Sequence, residues 1–196
     1  TGTAVTPTGE DVTSTGKQGK VQTGTPKFTE GDAEVPLKVD ADQPAKFVVN
    51  GTAVEDTTID AMKDGEKVGT YEINPLTGEV TFTPNKDFVG TPDAATVQVK
   101  DENGTAATGK YTPTVTAVTP TGEDATSTDI QGKTQTAKPT FTEGDAEVPL
   151  DDNVPATFED GTTEKVIAGV GTFTVAANGT ITFVPEASFT GEAPSV

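Results

Sequence analysis

The sequence has no cysteine, no histidine, no arginine and no tryptophan, and its longest apolar run, residues 166–170, is five residues. Each absence removes a class of function. Without cysteine there is no disulfide-stapled domain, which suits the cytosol and the outside of a Gram-positive cell equally. Without histidine, cysteine or arginine there is no imidazole base, thiolate nucleophile or guanidinium clamp. A pair of carboxylates is the one hydrolytic route composition leaves open. Here the carboxylates fall in turns and on outward positions, so the reading is that the protein is not an enzyme. A five-residue apolar run is far short of a membrane span. The chain opens at Thr1 with no charged-then-apolar leader, so any export signal lies outside these residues or has been removed. Positive charge is scarce too: 13 lysines face 31 acids, for a net charge of −18. Such a surface repels nucleic acid and anionic lipid, and its main role is to keep a long exposed protein soluble.

Threonine fills about a fifth of the positions. Thr and Val suit pleated strands, and 21 glycines with 14 prolines suit the turns between them. The fold class is therefore all-β. The chain is also written twice. Residues 5–37, VTPTGEDVTSTGKQGKVQTGTPKFTEGDAEVPL, return as residues 118–150, VTPTGEDATSTDIQGKTQTAKPTFTEGDAEVPL, with 26 of 33 positions identical at an offset of 113. A period that long marks a whole domain and not a solenoid unit. Two modules are expected, residues 1–116 and 117–196.

Within a module, residues 5–25 are polar and glycine-rich and read as extended chain with turns. Val35 and Leu37 alternate as a half-buried strand, which Pro36 places at an edge. Phe47 and Val49 continue the pattern up to a turn at Asn50-Gly51. Residues 56–63, DTTIDAMK, form the one helix candidate: Asp56 could cap it, and Ile59 and Met62 are spaced i, i+3. Twenty-three residues separate Phe47 from Tyr71, but only 14 separate Phe158 from Phe173. This interval therefore reads as an insertion outside the shared core. The clearest hairpin pairs Tyr71 and Ile73 with Val80 and Phe82 across Asn74–Gly78, and repeats as Phe173 and Val175 with Ile181 and Phe183 across Asn178-Gly179. Strands around Val97 and Val99 and around Tyr111 close module one. About seven short strands at this spacing indicate an immunoglobulin-like β-sandwich, two of them in tandem, arranged end to end.

In this order the blocks PxFTEGDAEVPL, GTYEINPLTGEVTFTPNKDFVGTP and VKDENGTAATGKYTPTV resemble the CshA-type fibril repeat of Gram-positive (streptococcal-like) fibrillar surface adhesins. The resemblance covers module one entirely and module two until the chain stops. It implies tandem sandwiches in a stalk on the cell surface, with an adhesive region and a cell-wall sorting signal elsewhere. The runner-up function is a module that itself binds ligand, with calcium as a possible requirement.

Four residues are candidate calcium ligands: Asp101, Asn103, Asp151 and Asp152, with Asp40, Asp42, Glu102 and Asn153 nearby, because tandem sandwiches can hold calcium at their junctions. Against this, Asp and Asn are turn formers, no stretch reproduces an EF-hand loop, and the acids of the two modules differ in spacing. No cofactor is expected. All eleven aromatics are assigned to the core, which leaves no platform for a sugar. Lys46 is the natural partner for an internal isopeptide bond, but its counterpart is Thr157, so the repeat does not require one. The Asn-Gly-Thr triplets at Asn50, Asn103 and Asn178 are read as turns and not as glycosylation acceptors. The expected partners are neighbouring repeats of the same chain, with no nucleic acid and no membrane insertion. The chain is expected to be a monomer, and any host ligand is bound by regions outside it. Module two stops five residues past Gly191, whereas module one runs on from Gly90 through Tyr111. The second module is thus expected to lack its closing strand and to be the less stable.

Overall fold

The computed structural model describes residues 1–196, all β-strand, turn and loop, and divides into two units, Thr1–Val118 and Thr119–Val196. Unit one contains twelve strands: β1 Thr8–Glu10, β2 Val12–Lys17, β3 Gln22–Gly24, β4 Lys27–Thr29, β5 Leu37–Lys38, β6 Lys46–Val49, β7 Thr52–Ala53, β8 Thr58–Lys63, β9 Glu66–Ile73, β10 Val80–Pro84, β11 Ala95–Asp101 and β12 Ala106–Thr116. One sheet runs β3-β10-β9-β8. The other runs β2-β12-β11-β6-β7, with β5 pairing the end of β11, and β1 with β4 forms a separate ribbon.

The two sheets pack face to face. Alternation puts Tyr71, Ile73, Val80 and Phe82 of the first sheet and Phe47, Val97, Val99, Tyr111 and Val115 of the second into one core. The Tyr71 and Tyr111 rings meet edge-on across it, 6.3 Å apart. Aromatics dominate such a core because each buries a large apolar area in a defined orientation. The β9–β10 hairpin has the expected register, Ile73 opposite Val80 and Tyr71 opposite Phe82. Its turn is built on Asn74, whose carbonyl accepts from the Thr77 and Gly78 amides.

Three sequence expectations are corrected. Residues 58–63 form strand β8 and no helix. Ile59 and Ala61 face inward while Asp60 faces out, the period of a strand, and Asp64-Gly65, both in the left-handed region (φ 51° and 81°), make a tight hairpin turn into β9. A bulge between Ala61 and Met62 displaces Met62, which produced the false helical spacing. Nor is β8 an insertion, because unit two has the equivalent strand. The extra residues of unit one lie in the longer β6–β7 and β8–β9 hairpins. The third correction concerns residues 5–25, which hold β1, β2 and β3. Of these, β2 lies parallel to β12, from Val12 beside Tyr111 to Lys17 beside Thr116. Its inward face carries Val12, Ser14 and Gly16, so hydrophobic alternation could not reveal it.

Unit two contains β13 Thr121–Glu123, β14 Gln135–Ala137, β15 Thr140–Thr142, β16 Glu164–Ile167, β17 Gly171–Val175 and β18 Ile181–Pro185. Its sheet, β14-β18-β17-β16, reproduces β3-β10-β9-β8, and the β13–β15 ribbon reproduces β1–β4. The block FTEGDAEVP folds alike in both: the Glu34 amide donates to Asp32 Oδ1 and the Glu147 amide to Asp145 Oδ1, each at 2.8 Å. The stretches aligned with β2 and β6 form no strand, and nothing corresponds to β11 or β12. Only Phe158 and Phe173 are buried apolar side chains there.

Candidate functional site

The acidic candidates divide by what their carboxylates hold. Asp101 ends β11 on its inward face and is fully buried (0% exposed). Its Oδ1 accepts from the amides of Asn103 (3.0 Å) and Thr105 (2.9 Å), which closes the β11–β12 turn, and Gly104 takes the left-handed position there (φ 81°). Its Oδ2 is buried without a hydrogen-bond partner. Asn103 is exposed at the tip of the same turn. Asp151 Oδ1 accepts from the Asn153 amide at 3.0 Å, while Asp152 is an exposed neighbour. Asp40 Oδ1 accepts from the Asp42 and Gln43 amides, both at 2.9 Å. These are Asx turns, in which the side chain mimics a backbone carbonyl. No group of three or more acids converges as a metal cluster.

A few lysines pair with carboxylates near the surface. Lys46 Nζ lies 2.7 Å from Glu55 Oε1. Lys165 Nζ is 3.6 Å from Asp160 and 5.8 Å from the centre of the Phe158 ring. The Asp160 carboxyl is held below its ordinary range, mainly by hydrogen bonds from the Thr162 hydroxyl and amide and then by Lys165.

One aromatic departs from the core assignment. Phe28 packs against the core from the β1–β4 ribbon, but its counterpart Phe141 is 56% exposed. The local sequence is the same. What differs is remote: in unit one the ribbon leans on β12, so closely that a Cβ on Gly9 would lie 2.2 Å from the Thr108 carbonyl oxygen, and unit two has no such strand.

The most connected polar group of unit one lies where β2 meets β12. Ser14 Oγ donates to Gln22 Oε1 (2.6 Å) and sits 2.5 Å from the Tyr111 hydroxyl, and Gln22 Nε2 donates to the Thr114 carbonyl (3.1 Å). This network fastens β2 and β12 of the second sheet to each other and to β3 of the first. Burial raises the ionisation of Tyr111 above its ordinary value, with the Ser14 hydrogen bond opposing. Tyr71, whose hydroxyl donates to the Asp93 carbonyl at 2.7 Å, is raised further, by burial first and then by Tyr111 and Asp93. Sequence reasoning passed over Ser14 and Gln22. Their trace was present, since both recur as Ser127 and Gln135.

Neither a nucleophile–base pair nor a converging set of metal ligands is assembled. The arrangement is that of a β-sandwich repeat, with its side-chain hydrogen bonds mainly in turns and between strands. The chain belongs to the surface adhesin CshA repetitive domain family, which matches residues 4–115 and again 117–196. No curated protein matches it. Among solved structures it is similar to the N-terminal eight Ig domains of Down Syndrome Cell Adhesion Molecule (14% identity, 94% of this chain, 24% of that one, TM-score 0.36). It is also similar to extracellular cadherin domains 1–4 of Protocadherin Gamma B7 (13%, 93%, 41%, TM-score 0.34). The chain thus spans about a quarter and two-fifths of the lengths of those solved chains.

Proposed function

We propose that these residues are stalk repeats of a cell-wall-anchored fibrillar adhesin of a Gram-positive bacterium. They extend and present an adhesive region carried elsewhere in the protein, in attachment to a host, to other bacteria or within a biofilm. The observation that supports this best is the use of side chains in unit one: five of its six aromatics lie deep in or flank the inter-sheet core and Phe28 packs on its rim. The outer surface is mostly Thr, Asp, Glu and Lys, with single exposed apolar residues such as Val21, Leu76 and Val89. Such a module has little with which to grip a ligand and much with which to stay folded and soluble. Four residues, 117–120, join β12 to β13. They include Val118, Thr119 and Pro120 and no glycine, a composition that restricts the backbone to extended forms.

Small-angle scattering on this chain and on versions with added repeats tests the reading. A monomer whose longest dimension grows by roughly 35–45 Å per repeat is expected, from a domain radius of gyration near ~13 Å. A particle that stays compact as repeats are added would refute it. A glycan-array and matrix-protein screen of the same chain is expected to be blank, and a specific hit would favour a ligand-binding module.

A further inference from the structure

The triplet Asn-Gly-Thr occurs three times, at Asn50, Asn103 and Asn178, and each copy lies in a turn between two strands. Identical sequence gives the three the same intrinsic chemistry. An Asn-Gly pair can react with itself, because glycine has no side chain to keep its amide nitrogen away from the asparagine carboxamide. The fold decides whether that nitrogen and that carboxamide are free. The Gly104 amide donates to the Asp101 carbonyl at 2.9 Å. The Gly179 amide donates to the Ala176 carbonyl at 2.9 Å, and Asn178 Oδ1 accepts from the Thr180 amide, also at 2.9 Å. At the third site neither group is held: the Gly51 amide donates to no acceptor, and the Asn50 side chain makes no hydrogen bond. Both residues are exposed and left-handed, at φ 53° and 79°, the turn of a two-residue hairpin loop. Strand β7 beyond them is two residues long and ends its sheet, so this tip opens at little cost to the core. The Asn103 turn is instead tied from beneath by the buried Asp101 carboxylate.

We propose that Asn50-Gly51 is a self-modification site, which deamidates ahead of the other two pairs. The Gly51 amide nitrogen, its proton given up to hydroxide, bonds to Asn50 Cγ. The Cγ–Nδ2 bond breaks, Nδ2 takes a proton from water and leaves as ammonia, and a succinimide ring remains. Water then opens the ring. Cleavage between the Gly51 nitrogen and Cγ leaves aspartate. Cleavage between that nitrogen and the Asn50 carbonyl carbon leaves isoaspartate, in which the chain runs through Cβ. Water is the only co-reactant, and nothing is oxidised or reduced. Either product adds a negative charge to the tip of the β6–β7 hairpin. The isoaspartyl product also lengthens the backbone by one methylene, so the Val48–Ala53 and Val49–Thr52 pairs lose their register, as does the Lys46–Glu55 ion pair that spans the hairpin. Phe47 keeps its place, because β6 is also paired to β11, with Phe47 beside Val97. The site thus records the age of the protein without unfolding the module.

The test ages the folded 196-residue chain in mildly alkaline buffer, beside a sample of the same chain unfolded in urea. Cleavage after lysine then places the three asparagines on separate peptides, residues 47–63, 101–110 and 166–196, each with a single asparagine and no glutamine. Mass spectrometry of each peptide gives the fraction converted over time, and methylation by a protein isoaspartyl methyltransferase gives the isoaspartyl share. In the folded chain Asn50 should convert about fivefold faster than Asn103, the effect of one hydrogen bond on the attacking amide, and faster still than Asn178. In urea the three rates should agree, since the triplets are identical. The proposal is overturned by equal rates in the folded chain or by a lead of Asn103 or Asn178. It is equally overturned if Asn50 stays intact while the urea sample converts, or if the same spread of rates persists in urea.

Discussion

Gly24 is the position where a single methyl should do the most damage. It lies in β3 opposite Val80, and a Cβ built on it would fall 2.4 Å from both Cδ1 and Cε1 of Tyr111. Carbon atoms in contact prefer about 3.5–4.0 Å, so the ring must retreat by about an ångström. It has nowhere to go: Tyr111 is fully buried, its hydroxyl is tied to Ser14, and Tyr71 stands edge-on behind it. Overpacking of this kind costs about 1–3 kcal/mol. Loosening the Tyr111–Ser14 bond adds about 1 kcal/mol. The smaller entropy of the unfolded alanine chain returns about 0.4–1 kcal/mol. Gly24→Ala should therefore lower the stability of unit one by about 2–3 kcal/mol, a fall in Tm on the order of 8–15 °C for a domain of this size. Tyrosine fluorescence reads this unit alone, since both tyrosines lie in it and the chain has no tryptophan. The partner change Val12→Ala should cost about 1 kcal/mol by itself. Combined with Gly24→Ala it should cost less than the sum, by about 0.5–1 kcal/mol, because the ring can move into the vacated space. A Gly24→Ala protein within about 0.5 kcal/mol of the parent, or strict additivity of the pair, would refute the reasoning.

Alkali should unfold unit one through its tyrosines. Both ionise above the ordinary tyrosine value in the folded state, so their contribution is complete below pH ~10 and falls as pH climbs toward the folded values. The slope should reach about 1.4 kcal/mol per pH unit for each tyrosine. Absorbance at 295 nm should rise together with loss of β circular dichroism, and tyrosines titrating near pH 10 in a folded protein would contradict this. Asp101→Ala should cost about 2–3 kcal/mol, for two lost hydrogen bonds in a buried turn. Asp101→Asn should cost much less, since it keeps the acceptor and removes the charge beside an unpartnered oxygen; urea denaturation separates the two. Chelator should shift neither melting transition by more than about 1–2 °C, because the candidate carboxylates already serve backbone amides and a weak site stabilises only in proportion to its occupancy. A larger fall would make the acidic turns ligands.

What could be read from the sequence was whatever has an apolar period. Strands β9 to β12 announce themselves through Tyr71 and Ile73, Val80 and Phe82, and Val97 and Val99, each pair two residues apart, and through Tyr111 and Val115, four apart on the same face. Strand β2 could not, because a serine and a glycine occupy its inward positions and a polar network replaces the apolar stripe. In β8 the i, i+3 spacing of Ile59 and Met62 looked helical because a bulge breaks the strand alternation between Ala61 and Met62, and the Asp64-Gly65 turn signal was not read. Asp101 was picked out for its oxygens, yet its use is decided by burial at the end of an inward-facing row. Phe141 shows the limit of local identity. Its neighbours match those of Phe28 almost letter for letter, and its environment is set by a strand some 80 residues away in unit one.

The parallel pairing of β2 with β12 bears on what happens when unit one is pulled. The chain passes from the β1–β4 ribbon into β2 and leaves at the end of β12, and β2 and β12 lie side by side over six residue pairs pointing the same way. Tension between the two ends drags them lengthwise in opposite directions. The ladder is then loaded in shear, so its hydrogen bonds share the force and must give way together, where a hairpin pulled from its open end would unzip one bond at a time. The Ser14–Tyr111 tie crosses that same seam. A module closed in this way should need more force to open than one whose end strands form a hairpin.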